Sequence, residues 1–329
     1  TREVIKSQAA ILQSYWLADH VITTIGWRKD KDYFARLNLT YPNNPTKNRF
    51  RNGEFGLRST PPFNVEGEVE SYSVVVRWPK RLLRLPEGTD LSMFYNESSN
   101  FTPAGGRITA LNQKLTPPEG TTEEFGFGLS LLNDRLNIRY NRFETRVTNA
   151  SFNSPSYSAA YGNGVSQIAG FWAGERNINP GIDRTAEIER LFSPVPEFRD
   201  AYGFQLVTNA NGTFGFTGTI PPGITDTTDY VARGHEVEIV YNATRNWRTL
   251  LNVSKQETVQ SNIAPNTREF VEKMRPIWAE FASRPRANFP AGYVPGTPLP
   301  PGTETVGSWV QTNVLVPYAT TLANEGQVS

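Results

Sequence analysis

The connections between strand-like segments alternate between tight turns and long loops, and this rhythm constrains the fold more than any motif. Tight turns are predicted at 17–20, 133–134 and 243–246, and the loops between these hairpins are unequal, one reaching from about 149 to 232. A soluble sheet has no reason to collect its tight turns at one end. An antiparallel barrel in an outer membrane does, because its two mouths face different compartments. The rhythm therefore predicts an all-β protein, an antiparallel transmembrane β-barrel with long extracellular loops.

Composition excludes several other classes of protein. The sequence has no run of ~18 apolar residues, which excludes transmembrane helices, whereas a barrel wall needs only alternate apolar residues. The net charge of +1 argues against binding driven by nucleic-acid phosphates. The chain has no cysteine and two histidines, so disulfide scaffolds and Cys/His zinc sites are also excluded.

Alternation of apolar and polar residues predicts about eight up-and-down strands. In one of them, Phe125, Phe127 and Leu129 lie on one face and Glu124 on the other. The predicted strands are 4–16, 21–30, 68–78, 90–98, 123–132, 135–148, 234–242 and 247–257. The first of these does not alternate clearly. At Arg142 and Phe143 the apolar face changes parity, which predicts a β-bulge or an exit from the membrane.

Two details of the strands favour lipid rather than a protein core. The apolar faces carry Trp or Tyr near strand ends, where such rings favour the headgroup region: Trp27, Trp78, Tyr140, Tyr241 and Trp247. The opposite faces carry charged residues, and those predicted to line a watered lumen or to contact a plug domain are Arg28, Arg77, Glu124, Arg139 and Glu238. A soluble sandwich or meander with one wet face shows the same alternation and remains the alternative.

The long loop 149–232 is predicted to fold as an extracellular cap, because a structureless loop of this length is improbable unless it is functional. It contains a candidate helix at 184–192 and a small hairpin around 209–212. Four aromatic residues in it could stack on a ligand, namely Tyr157, Tyr161, Phe171 and Trp172. The alternative is that they form the loop's own core.

The segment 258–329 is predicted to be a second extracellular loop with helices. Residues 266–269 resemble a capping box that opens a helix with an apolar face at helical spacing. Pro276 is expected to kink this helix, and another helix is predicted at 306–324.

No catalytic constellation emerges from the sequence. His20 and His235 have no recognisable Ser or Asp partner, and Gly105 and Gly106 lack the context of a phosphate-binding loop. We therefore expect no enzyme activity, no cofactor and no metal.

Three strand-turn-strand phrases resemble the barrel of TonB-dependent outer-membrane receptors. The first is residues 13–30, which end in Gly26-Trp27-Arg28-Lys29-Asp30. The second runs from Glu123-Glu124-Phe125-Gly126 to Phe143, although Gly128 stands where the family usually has a Lys. The third is Gly234-His235-Glu236-Val237-Glu238 followed by Asn246-Trp247. The resemblance covers the strands and leaves the loops unmatched.

The resemblance implies a barrel of roughly 22 strands with an N-terminal plug, in the outer membrane of a Gram-negative bacterium. The implied function is import of a scarce ligand: an iron–siderophore, a vitamin or an oligosaccharide. The implied partners are outer-membrane lipid, the plug domain, the TonB complex and that ligand, with no nucleic acid. The chain is then expected to be a fragment without plug or TonB box. The alternatives are a small structural or adhesive outer-membrane barrel and a soluble β-rich carbohydrate-binding module.

Overall fold

Eight long strands form one antiparallel sheet. A computed structural model describes residues 2–35, 37–38, 58–59, 63–79, 85–104, 106–153, 159–179, 181–218, 224–287, 289, 293–294 and 297–328. The strands of the sheet are β1 (Arg2–Trp16), β2 (Val21–Ala35), β5 (Phe63–Arg77), β6 (Asp90–Phe101), β7 (Glu119–Leu131), β8 (Leu136–Phe152), β11 (Asp226–Thr244) and β12 (Trp247–Ser261). Two short pairs complete the list: β3 (Leu37–Asn38) with β4 (Arg58–Ser59), and β9 (Gln205–Thr208) with β10 (Phe214–Thr217).

The strand order is β1-β2-β5-β6-β7-β8-β11-β12, so each long strand pairs with the next long strand along the chain. This confirms the predicted eight up-and-down strands. Among the described residues the sheet does not close, and β1 and β12 are its two edges. The small closed barrel considered as an alternative is therefore not formed.

All the short connections lie at one end of the sheet, as predicted. They are the turns 17–20, 132–135 and 245–246 and the longer connection 78–89, part of which is described. Leu17, Ala18 and Asp19 all have positive φ (51° to 65°), and the turn after β7 repeats this backbone conformation. This conformation is costly for residues with a Cβ.

The predicted bulge at Arg142 and Phe143 is wrong. The register of β8 runs without a break through both residues against β7 and against β11. Phe143 lies on the polar face because its ring covers Gly234, where an added Cβ would meet the ring at 2.9 Å. The irregularity in this ladder falls farther along, between Thr228 and Tyr230 of β11.

At the end opposite the tight turns, three loops fold into one helical body, which we call the cap: the described residues of 102–118, 153–225 and 262–328. Its helices are Gln167–Ile178, Thr185–Phe192, Pro196–Ala201, Pro265–Glu280, Val306–Val310 and Val316–Leu322, with π-helical stretches Ala159–Ser166 and Gln311–Leu315. The predicted helices at 184–192 and 306–324 and the small hairpin are confirmed. None of the helices in the described part of the chain is long and apolar enough to span a bilayer.

The cap has a single hydrophobic core to which all three loops contribute. Ala110 comes from the first loop, Phe192 and Phe198 from the second, and Phe270 and Val306 from the third. Hydrogen bonds join the loops as well: Tyr202 Oη donates to Thr109 O, and Trp278 Nε1 donates to Gly164 O at 2.9 Å. These three connections are therefore one folded unit.

The capping box predicted at 266–269 is wrong. Ala264 precedes the helix in a left-handed conformation (φ 52°) and supplies no side-chain cap. The carboxylate of Asp226, at the start of β11, instead accepts the backbone N–H of Asn266 at 3.2 Å and of Thr267 at 2.6 Å. Asp226, which satisfies these N–H groups, lies 40 residues before Asn266 in the chain, so the local sequence could not reveal it.

Candidate functional site

The register of the sheet assigns each strand residue to one of two faces, because residues directly opposite each other share a face. One face is apolar near the tight turns. A row across five neighbouring strands consists entirely of aliphatic residues, namely Leu91, Leu129, Ile138, Ile239 and Leu251. We call this face the apolar face and the other the polar face.

No second layer of protein covers the apolar face in the described part of the chain. Met93 is 54% exposed, Leu251 52% and Val253 56%. The hydrophobic core cluster contains cap residues and none of these strand residues. A contiguous exposed apolar surface of this kind marks a site of interaction with a membrane or a partner.

Two rows of aromatic residues bound the apolar face. The two rows differ in distance along each strand from its tight turn. Trp16, Tyr241 and Trp247 lie one to four residues from the turn, and Trp27, Tyr72, Tyr95, Phe125 and Tyr140 lie five to seven residues from it, toward the cap. Six residues separate Val21 from Trp27 on β2, which corresponds to ~20 Å along the strand. At the ~35–45° tilt of barrel strands this length corresponds to a height of about 15 Å, which is less than the ~25 Å apolar band that aromatic residues flank in outer-membrane barrels.

The aromatic row nearer the cap marks the level at which charged residues begin. Tyr72 Oη donates to Glu70 at 2.7 Å and Tyr95 Oη to Glu97 at 3.1 Å. Tyr140 Oη shares a hydrogen bond of 2.8 Å with His235 Nδ1. Each ring thus touches the apolar band with its body and the charged zone with its hydroxyl, as amphipathic rings do at a membrane interface.

All five residues predicted to face the lumen lie on the polar face: Arg28, Arg77, Glu124, Arg139 and Glu238. A hollow of about 830 Å³ opens on this face near the tight turns, and Arg77, Arg139 and Glu238 line it. The Arg139 guanidinium lies 5.1 Å from the Phe94 ring centroid. That ring occupies the space over Gly126, where an added Cβ would lie 2.7 Å from it.

The cap holds three of the four aromatic residues predicted to contact a ligand, and Tyr157 lies outside the described residues. Tyr161 and Trp172 are each 3% exposed, whereas Phe171 is 36% exposed. Tyr161 Oη hydrogen-bonds Thr267 Oγ1 at 2.9 Å, and burial raises the pKa of this hydroxyl. Trp172 Nε1 donates to Pro285 O at 3.1 Å. The structure thus places two of them in the cap's core and one at its surface, and their role toward a ligand stays a prediction.

The cap also contains a buried ion network that the sequence did not reveal. Glu175 is fully buried and accepts two hydrogen bonds from Arg184, at 2.7 and 3.1 Å. Glu187 accepts one hydrogen bond from Arg184 at 3.1 Å and another from Arg284 at 2.8 Å. A cavity of about 150 Å³ lies beside Arg184 and is also lined by Arg176. The network connects two segments 100 residues apart, and no local pattern marks such a pairing.

In the described part of the chain, no group of three or more His, Asp or Glu residues is placed to hold a metal ion. The features that the chain does assemble are two contrasting sheet faces and a cap above them. The two sheet faces therefore suit surroundings of different polarity, the apolar face a hydrocarbon environment and the polar face water.

No protein-family model matches this sequence, and no curated protein matches it significantly. Among solved structures, the chain is similar to the ferripyoverdine receptor of the outer membrane of Pseudomonas aeruginosa (TM-score 0.32, 12% identity), over 78% of this chain and 33% of that one. It is also similar to the FrpB iron transporter of Neisseria meningitidis (TM-score 0.33, 10% identity, 79% of this chain and 32% of that one). A third is the siderophore receptor PirA of Acinetobacter baumannii (TM-score 0.30, 12% identity, 78% and 36%). The chain spans about a third of the length of these structures, and the likeness at these scores is partial.

Proposed function

We propose that the sheet is part of the wall of an outer-membrane β-barrel. Its apolar face contacts lipid, its polar face looks into a watered lumen, and its tight turns lie on the periplasmic side. The observation that carries this proposal is the uncovered apolar face between two aromatic rows. Each large apolar side chain left in water forgoes ~1.5–3 kcal/mol of burial energy, and contact with acyl chains restores it.

Within this wall, the proposed activity is import of a scarce ligand in the manner of TonB-dependent receptors. The ligand classes are an iron–siderophore, a vitamin or an oligosaccharide, and the partners are a plug domain and the TonB complex. Support comes from the three sequence phrases and from the folded cap at the end where the barrel mouth would open. Arg77, Arg139 and Glu238 would then face the plug or lumen water, and Phe171 would contact a ligand at the cap surface.

Each of the two alternatives requires a feature that the described residues do not form. A soluble carbohydrate-binding module requires the apolar strand residues to meet in a core, and Met93, Leu251 and Val253 are instead exposed. A small adhesive barrel requires closure between β1 and β12, which are separate edges in the described sheet.

Site-directed spin labelling tests the wall. The chain has no cysteine, so single-Cys variants carry a single label. Met93 lies on the apolar face and its neighbour Ser92 on the polar face. In the full-length protein in lipid vesicles, a label on Met93→Cys should collide mainly with oxygen, which concentrates in lipid, and a label on Ser92→Cys mainly with a water-soluble nickel complex. Equal accessibility at both positions would contradict the proposed membrane wall.

Uptake assays test the import activity. Cells with and without the gene would receive radiolabelled ferric siderophores, cobalamin and oligosaccharides, each with and without an uncoupler of the proton-motive force. Uptake of one ligand should require both the gene and the energised membrane. Gene-independent uptake of every ligand offered would refute import of these classes and leave the wall itself standing.

A further inference from the structure

Three basic side chains occupy one row of the apolar face, one step beyond the aromatic boundary. Arg142, His235 and Lys255 lie directly opposite one another on β8, β11 and β12. Arg142 and Lys255 carry the two formal positive charges of this row, one on each side of the His235 ring. Within the described residues Arg142 makes no ion pair, and its guanidinium lies 5.6 Å from the Phe125 ring. Lys255 is 79% exposed and approaches a carboxylate of Glu257 only at 3.9 Å.

Two other lysines on the same face are paired within the protein. Lys29 and Lys31 stand beyond the same aromatic boundary on β2. Each lies directly opposite a glutamate of β5 and forms an ion pair of 2.6 Å, with Glu68 and Glu66 respectively. In the row on β8, β11 and β12 the two charges have weaker partners. The nearest acidic residues on this face, Glu144 and Glu257, lie one row closer to the cap, where they pair with Arg146 and Arg233.

The surface next to this row is apolar. Tyr140, Val237 and Val253 form the adjoining row toward the tight turns, and aliphatic residues form the row after that. A molecule with an anionic head and hydrocarbon chains matches this order along the strands, in which a basic row is followed by apolar rows. His235 keeps its second ring nitrogen for such a molecule, because Nδ1 is engaged by Tyr140 Oη.

We propose that Arg142, His235 and Lys255 bind the phosphate of a phosphorylated membrane lipid whose acyl chains lie along the apolar rows. Guanidinium and ammonium groups form charge-assisted hydrogen bonds with phosphate oxygens. The inference rests on the proposed membrane wall and adds a lipid site to it. The site faces the leaflet on the cap side.

A lipid titration with a matched control tests the site. The full-length protein would be purified in mild detergent, stripped of lipid, and titrated with bis-phosphorylated lipid A while native mass spectrometry counts bound lipid. Each basic residue near an anionic surface strengthens binding about fivefold, so the variant Arg142→Gln/Lys255→Gln should bind roughly 25-fold more weakly. The control Lys29→Gln/Lys31→Gln removes the same charge from already paired positions and should bind as the wild type does.

Three results would overturn the lipid site: unchanged affinity in Arg142→Gln/Lys255→Gln, equal binding of dephosphorylated lipid A, or an equal loss in the control variant. Displacement of lipid A by millimolar inorganic phosphate would assign the row to a free anion and overturn the lipid assignment too. Failure of the membrane wall itself would appear differently, as a water-accessible label at Met93→Cys. The two failures are therefore distinguishable.

Discussion

An arginine introduced at Ile239 measures directly whether the apolar face meets lipid. Ile239 is the midpoint of the apolar stretch of β11, between Tyr241 and Val237, with Ile138 and Leu251 directly opposite. An arginine facing lipid costs ~2–4 kcal/mol at the bilayer midplane. Ile239→Arg should therefore lower the free energy of unfolding by about 2–4 kcal/mol.

The next residue along the strand supplies the matched control. Val240 lies on the polar face and lines the hollow of about 830 Å³, where a new guanidinium stays hydrated. Val240→Arg should cost under ~1 kcal/mol by the same reasoning, and Ile239→Ala separates loss of size from gain of charge. Guanidinium unfolding from phospholipid vesicles, followed by tryptophan fluorescence, gives all three values. Equal costs for the two arginine variants would refute the assignment of the faces.

Three further perturbations have defined outcomes. Ala18→Gly should stabilise the protein by ~1 kcal/mol in the same unfolding assay, since Ala18 has φ 51° and glycine adopts this conformation without the steric cost; a loss of stability would contradict this. Asp226→Asn should weaken the hydrogen bonding at the N-terminus of helix Pro265–Glu280 by ~1 kcal/mol and so speed proteolysis of the helical cap body; an unchanged cleavage rate would contradict that role. A hydrogen bond from Arg268 holds the pKa of Glu325 below its ordinary 4.5, so the contact stabilises the docked C-terminal segment at neutral pH and is lost as pH falls through that lowered value. Hydrogen exchange in 323–328 should then rise at acid pH, and pH-independent protection would contradict it.

Period-two patterns in the sequence predicted the strands well, because a sheet with one apolar and one polar face requires alternate residues to differ in polarity. Phe125, Phe127 and Leu129 are one example. The ends of the strands were less predictable. Several strands run three to eight residues beyond the predicted bounds. The alternation there is between charged residues such as Lys31 and Asp32, which no longer differ in polarity.

The cap was the least predictable part. The helical stretch 159–178 was missed, because Gly162, Gly164, Gly170 and Gly174 interrupt any helical pattern within it. The ion network and the Asp226 cap both join residues far apart in sequence. Such pairings are decided by tertiary packing, which leaves no periodic pattern in the local sequence.

The shared core of the cap has a consequence for attempts to exchange its loops. In a barrel with independent loops, one loop can be exchanged for that of a relative without disturbing the others. Here a graft of 153–225 alone would leave the aromatic partners of the other two loops, such as Phe270, without their complement. A stable exchange would require transplanting all three segments together, because each supplies part of the same core.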